Sequence, residues 1–567
     1  MTTRLKDPIA RAAVAAPAHP SAAHVPVAAH PQVRSWTAAQ LREALEDGDE
    51  LALLDVRDHG IYARGHLLLA TSAPFWRLEL DMATHVPRRA TRVVLVADDD
   101  LALRAANKLQ RLGYTQLHVL AGGLAAWIEA GYDVFSGTNV LGKAFGEVLE
   151  HELGTPHIDV HTLKRRLAAG EPIVVVDSRT SEEYQSFSLD GAHSLPGAEL
   201  VYRIGRLVKD AHTSIVVNCA GRTRSIVGAQ TLINAGLPNP VYSLKDGTMA
   251  WLMTGETLRH DARQAVDAPD DASVQLARQR AADMARRAGV RPIDTVELDA
   301  LRARPDRTVF LFDVRHRHEY VEGHLPGWRW APGGQLVQAS DEYIAVRGAD
   351  VVLADWDGVR AQTTGAWLAQ LGFRVHTYAV GAPEVLQTGI APRRILNAYR
   401  SATPTVQPNE AEAWRVAGEA WFVDVEDSIA YARRHVAQAC FVAPSRLVAH
   451  LRARDQAQRV VIVSLDGVLA ASVVRELRAQ GIDAVHALAG GTARWAELGL
   501  PLQQGTADRL TGEDDTWYGP YVFDTLAQRD AKFNAYLQWE VDLAPRLARE
   551  PGVSISLLGS QRARQVA

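Results

Sequence analysis

Residues 214–237 read SIVVNCAGRTRSIVGAQTLINAGL. "SIVVN" is short and apolar enough to be a strand buried on both faces, and "SIVGAQTLINAG" sets Ile226, Ala229 and Ile233 along one side of a helix. A buried strand running into an amphipathic helix is the unit of a parallel sheet covered on both faces. Cys219 to Arg224 connect the two, and they hold one of only two cysteines in 567 residues.

Four times along the chain an apolar run ends in an acidic residue: "LALLDVRDHGIYARGH" (Asp55), "IVVVDSRTSEEYQS" (Asp177), "VFLFDVRHRHEYVEGH" (Asp313) and "WFVDVEDSIAYARRH" (Asp424). A second strand and helix follow each time: "RVVLVADDDLALRAANKLQRLGY", the opening stretch itself, "DVVLADWDGVRAQTTGAWLAQLGF" and "RVVIVSLDGVLAASVVRELRAQGI". A strand, Gly turn and helix close the pattern, as in "HVLAGGLAAW", "YSLKDGTMAW" and "HALAGGTARW", with a Trp-less "YAVGAPEVL" in the third copy. These landmarks predict an α/β chain of four tandem domains, at 35–137, 155–262, 291–392 and 405–503, each a parallel sheet with helices on both faces. An Ala-, Pro- and His-rich segment at 1–34 is expected to be a disordered tail, and 263–290 a polar helical linker. Residues 504–567 are expected to form a helical extension, with Phe533, Tyr536, Leu537 and Val541 spaced to pack on a domain or a partner.

Composition narrows the function classes. With 47% hydrophobic and 22% charged residues and a net charge of -5, the chain has the balance of a globular protein and no basic footprint for nucleic acid. No apolar run is long enough to span a bilayer. Cys219 and Cys440 lie in unlike contexts, so free thiols in the reducing cytoplasm are expected, with Cys440 as core filler.

A strand-to-helix loop at the carboxyl edge of a parallel sheet is where such folds hold ligands, and its N–H groups converge into an anion site. Those amides and two guanidinium groups are expected to lower the pKa of Cys219 and make it nucleophilic near neutral pH.

The constellation resembles the rhodanese family of sulfurtransferases over about residues 35–503, in the tandem four-domain arrangement of bacteria. The resemblance rests on the "D-x-R" pairs (Asp55/Arg57, Asp177/Arg179, Asp313/Arg315), "HEYVEGHLPGW" at 318–328, "GAHSLPGAEL" at 191–200, the cysteine loop, the "GG-x-x-A-W" turns and a C-terminal "WY-x-P-Y". It implies that Cys219 takes a sulfane sulfur from thiosulfate or a similar anionic donor, holds it as a persulfide and passes it to cyanide or a thiol. A sulfur-accepting protein is a further class of partner, and no metal or organic cofactor is implied. By the same resemblance Ala220, Gly221, Arg222, Thr223, Arg224 and Ser225 bind the substrate, with Arg222 and Arg224 on the anion and the amides of Gly221, Thr223 and Arg224 around the terminal sulfur. Asp177 and Arg179 brace the neighbouring strand end. The loop departs from the usual thiosulfate type in having Gly at its third position and Arg222 at its fourth, while Arg224 keeps the sixth. Mercaptopyruvate-type loops typically end in uncharged residues, so two arginines point to a dianionic donor.

The corresponding stretches "VADDDLA", "LADWDGV" and "VSLDGVL" lack cysteine. They read as solvated loops in which Asp98, Asp99, Asp100, Asp355, Asp357 and Asp466 repel an anionic donor, and Ser464 cannot carry a persulfide. His316, His318, Glu319 and His324 do not have the H-E-x-x-H spacing and are read as part of the repeat, and His151, His157 and His161 as water-facing. Two rival readings remain. A phosphatase of the same fold uses a loop one residue longer, with Arg at the seventh position where this chain has Ser225. A non-catalytic scaffold or persulfide carrier would differ in the reactivity of Cys219.

Overall fold

The computed structural model describes residues 33–381, 385–454 and 458–559. The expected tail falls outside these, except that Val33 and Arg34 open the first strand, Val33–Trp36.

In the second unit the strand order is His157–Ile158, Val241–Leu244, Ser214–Asn218, Ile173–Asp177 and His193–Ser194, and all pairings are parallel. The other three units repeat this order. The opening stretch is the middle strand, and its side chains alternate between two cores as a period of two requires. Val216 packs with Val175, Tyr184 and Leu244 on one face, whereas Ile215 and Val217 pack with Ala229 and Leu232 on the other. Each such side chain contributes about 1.5–3 kcal/mol of burial, which is why five residues suffice to fix the strand. The following helix, Thr223–Asn234, starts two residues earlier than its apolar face predicts, because Thr223 and Arg224 already adopt helical geometry.

The acidic residue ending each first strand has a defined job in three units. Arg179 Nε lies 2.9 Å from Asp177 Oδ1, Arg179 Nη2 lies 2.8 Å from Oδ2, and Nη2 also donates to the Phe187 carbonyl at the end of helix Ser181–Ser186. Arg57 with Asp55 and Gly65, and Arg315 with Asp313 and Gly323, repeat the arrangement. The guanidinium thus ties the strand end to the next helix. In the fourth unit Glu426 takes the arginine's place, and burial pushes the Asp424 carboxyl up to about 7.

Segments outside the repeats bind the units together. Val346–Arg347 of the third unit adds an antiparallel strand to the first sheet at Leu51–Ala52. Trp367 Nε1 donates to Thr231 Oγ1 across the second and third units at 2.8 Å. Helix Asp271–Arg287 buries Ala277 and Ala281 against Val201 and Val359. A helix at Val140–Leu153, in a stretch outside the four repeats, is buried along most of its length. It comes so close to its neighbours that a Cβ on Gly142 would stand 2.1 Å from the Gln338 carbonyl oxygen, and one on Gly146 would stand 3.1 Å from Thr223 Cα. In the C-terminal extension the helical parts are Leu526–Val541 and Ala544–Leu547. Phe533 and Leu537 are buried as their spacing predicts, while Val541 is exposed.

Candidate active site

Cys219 follows directly on the buried strand, and the loop closes onto the next strand-helix turn. Thr248 N–H donates to the Cys219 carbonyl and Met249 N–H to that of Ala220. Gly247, at φ +53°, makes this approach possible, since a Cβ there would stand 2.4 Å from the Cys219 carbonyl oxygen. The Ser225 hydroxyl lies 3.5 Å from Cys219 Sγ and donates to the Arg222 carbonyl at 2.7 Å, so the loop folds back around the sulfur.

The two arginines part company. Arg224 lies beside Cys219 and is held in a bidentate pair with Glu183, at 2.6 and 2.8 Å. Burial alone would raise the Glu183 pKa, but Arg224 draws it down to about 2. Arg222 is engaged by carboxylates instead. Its Nη2 lies 2.8 Å from Glu147 and also pairs with Glu150, and its Nη1 lies 2.9 Å from Asp246. Three negative charges around one guanidinium leave it no surplus for an anionic donor, which runs against the expectation that Arg222 binds one.

The expected low pKa of Cys219 is also corrected. Burial raises it above its ordinary value, and Glu540 adds to the rise, against the opposing pull of Arg224 and of the Ser225 hydroxyl and backbone N–H. Cys219 is only 2% exposed, and the C-terminal extension lies over its loop. Tyr521 OH donates to the Ala220 carbonyl at 3.0 Å, and Glu540 Oε1 accepts from Thr223 Oγ1 at 3.3 Å and from Tyr536 OH at 3.0 Å. A Cβ on Gly221 would meet Glu540 Oε2 at 3.3 Å, Tyr536 at 3.6 Å and Leu537 at 3.8 Å. Asp177 and Arg179, both fully buried, lie one step behind, with Asn218 Nδ2 donating to Asp177 Oδ2 at 3.0 Å.

The residue at the Cys219 position differs in every unit, as the strand registers show. Asp177 pairs with Asn218, Asp55 with Val96, Asp313 with Ala354 and Asp424 with Val463, so the equivalents are Ala97, Asp355 and Ser464. In the first unit only Ala97 and Asp98 separate strand from helix, and there is no room for a loop. In the third unit Asp355 and Asp357 are buried rather than solvated. The Asp355 carboxylate accepts from the backbone N–H groups of Gly358, Val359 and Ala361 at 2.8, 3.1 and 2.7 Å. Arg360 pairs with Glu319 at 2.6 and 2.8 Å, the counterpart of Arg224 with Glu183. In the fourth unit Ser464 Oγ accepts from Ala470 N–H at 3.1 Å.

Glu183, Glu147, Glu540 and Lys143 at this site were not singled out from the sequence. A signal for Glu183 exists: of the four units, only the second and third have a Glu six residues after the strand-end Asp, and only they have Arg at the position of Arg224. Cys440 is free and half-buried at the start of the short strand Cys440–Phe441. No helix among the described residues is long and apolar enough to cross a membrane.

The sequence model of the rhodanese-like domain matches residues 37–130, 159–254, 295–387 and 407–498. A crystal structure described as a thiosulfate sulfurtransferase from Pseudomonas aeruginosa superposes with a TM-score of 0.89 at 38% identity, covering 93% of this chain and all of that one. A sulfurtransferase of Allochromatium vinosum is 31% identical over 98 residues, 17% of this chain and 89% of its own. An HTH-type transcriptional regulator of Mycobacterium tuberculosis is 35% identical over 105 residues, 18% of this chain, and the match spans 45% of that regulator.

Proposed function

The chain belongs to the rhodanese-like family, and on that premise we propose that it is a sulfurtransferase working through Cys219, with thiosulfate or a similar anionic sulfane as donor. The observation that carries this reading is the surroundings of the sulfur. A cysteine follows a buried parallel strand, its thiol donates to the Ser225 hydroxyl at 3.5 Å, and the Arg224 guanidinium lies beside it. The other three units offer Ala97, Asp355 and Ser464 there, none of which can hold a sulfane sulfur.

The transfer needs two displacements. The Cys219 thiol first releases its proton to solvent, and the thiolate attacks the outer sulfur of thiosulfate. A Cys219–S bond forms, the S–S bond of the donor breaks, and sulfite departs with the electron pair. Arg224 stabilises the charge held at the persulfide and on the leaving sulfite. Cyanide or a thiolate then attacks the outer sulfur of the persulfide, and the Cys219 thiolate is the leaving group. The donor-binding role falls to Arg224 rather than Arg222, since one carboxylate faces the former and three face the latter. A cytoplasmic setting suits two free cysteines.

The test is thiosulfate:cyanide sulfur transfer by the full chain and by Cys219→Ser, with 3-mercaptopyruvate run beside thiosulfate. Turnover that disappears in the variant is expected, and turnover that survives it places the chemistry elsewhere. A reactive Cys219 without turnover on either donor points to a persulfide carrier or scaffold.

A further inference from the structure

The C-terminal helix brings one acidic side chain to a loop built for anions. Glu540 is 2% exposed, and its two oxygens are not equivalent. Oε1 is filled by the hydroxyls of Thr223 and Tyr536, whereas Oε2 is buried without a hydrogen-bond partner and lies against Gly221, two residues from Cys219. A buried polar atom without a partner is a rare and costly feature. An ionised carboxylate there stands against the loop that a dianionic donor must reach. A protonated one carries an O–H with no acceptor until such a donor arrives.

We propose that Glu540 is a specificity-determining residue of the Cys219 site: its Oε2 touches the anionic donor, hydrogen-bonds it when protonated and repels it when ionised. This rests on the reading of Cys219 as the sulfur-accepting thiol. The groups facing the carboxyl are Tyr536 on its own helix, Lys143 and Glu147 on helix Val140–Leu153, and Cys219, Arg222 and Thr223 on the loop and its helix. Burial, helped by Glu147, pushes Glu540 up to about 7 against Lys143, Tyr536 and Arg222. Lys143 is itself driven down to about 8 by burial. It lies 5.1 to 5.3 Å from the ring centres of Trp517, Tyr536 and Trp539, which hold it under the helix.

The consequence can be read in a pH profile. Productive encounter requires a Cys219 thiolate and a neutral Glu540. While pH is below 7, the thiolate fraction grows about tenfold per unit and kcat/KM for thiosulfate grows with it. Above that point the loss of neutral Glu540 cancels the gain, and the wild-type profile levels off. Glu540→Gln keeps a neutral hydrogen-bond donor at every pH, so its profile continues to climb and it is about tenfold faster than wild type at pH 8. Lys143→Met removes the facing ammonium and moves the bend to higher pH. Iodoacetamide, a neutral electrophile, reports only the effect of the Glu540 charge on the Cys219 thiolate, so its wild-type profile bends less than the thiosulfate profile, which adds repulsion of the donor itself. A Glu540→Gln profile that levels off where wild type does, or a wild-type bend as deep with iodoacetamide as with thiosulfate, overturns the proposal while Cys219 stays the nucleophile. Turnover that survives in Cys219→Ser overturns the underlying reading instead.

Discussion

Replacing Arg222 by methionine separates the two arginines of the loop. In the wild type its guanidinium closes a pair with Glu147, whose side chain is 4% exposed, and two more with Glu150 and Asp246 at 22% and 23%. Removing one partner of a buried pair leaves an uncompensated charge at a cost of about 3–5 kcal/mol. The two more exposed pairs add well under about 1 kcal/mol each. A loss of about 4 kcal/mol raises the local opening equilibrium by about a thousandfold. Cys219 reports that opening directly, being 2% exposed and accompanied by only one other cysteine. Its alkylation by iodoacetamide under native conditions, followed by mass spectrometry of its peptide, is expected to accelerate by that factor in Arg222→Met. Adding Glu147→Gln should restore much of the protection, since a buried amide costs far less than a lone carboxylate. The reasoning fails if Arg222→Met is alkylated at the wild-type rate while its KM for thiosulfate rises strongly. That result would turn Arg222 toward the donor.

Three further outcomes follow from the geometry. Arg179→Met leaves the fully buried Asp177 without its counter-ion and is expected to cost about 3–5 kcal/mol; Asp177→Asn added to it recovers part of the loss, as urea unfolding of the two variants would show. Gly146→Ala places a methyl 3.1 Å from Thr223 Cα, at a cost of about 1–3 kcal/mol, and should depress kcat/KM with the melting temperature; an unchanged kcat/KM contradicts the close approach. Glu183 falls from its ordinary value of 4.5 to about 2, so the stability it contributes is full above pH 4.5 and is lost as pH drops toward 2. Urea midpoints of Glu183→Gln should vary less across that window than those of wild type.

The strands and the loop were legible because each lies within one short repeat. Runs such as IVVVD and SIVVN have no polar face, and only a sheet covered on both sides accommodates them. Of the two loop arginines expected beside Cys219, Arg224 lies there and Arg222 turns to Glu147, Glu150 and Asp246, a choice that loop length alone does not make. Glu183 escaped from within the repeat, and the rest of what escaped came from outside it. Glu147 reaches Arg222 from 75 residues away, and Glu540 reaches Thr223 from 317. Nothing in a helical apolar spacing tells which loop a helix will cover. The pKa of Cys219 was misjudged for the same reason, since counting nearby arginines gives the attraction and omits the desolvation imposed by a distant segment.

The third unit shows what the loop is for when no chemistry is asked of it. Asp355 occupies the cysteine's place and accepts three backbone N–H groups. It is a guest that cannot leave, since it is part of the chain. A soluble anion would have to displace a covalently tethered rival whose effective concentration far exceeds any free solute, so that unit is closed to donors however well its surface might otherwise suit them. The second unit carries Cys219 at that position, so no tethered carboxylate competes there for the loop's amides.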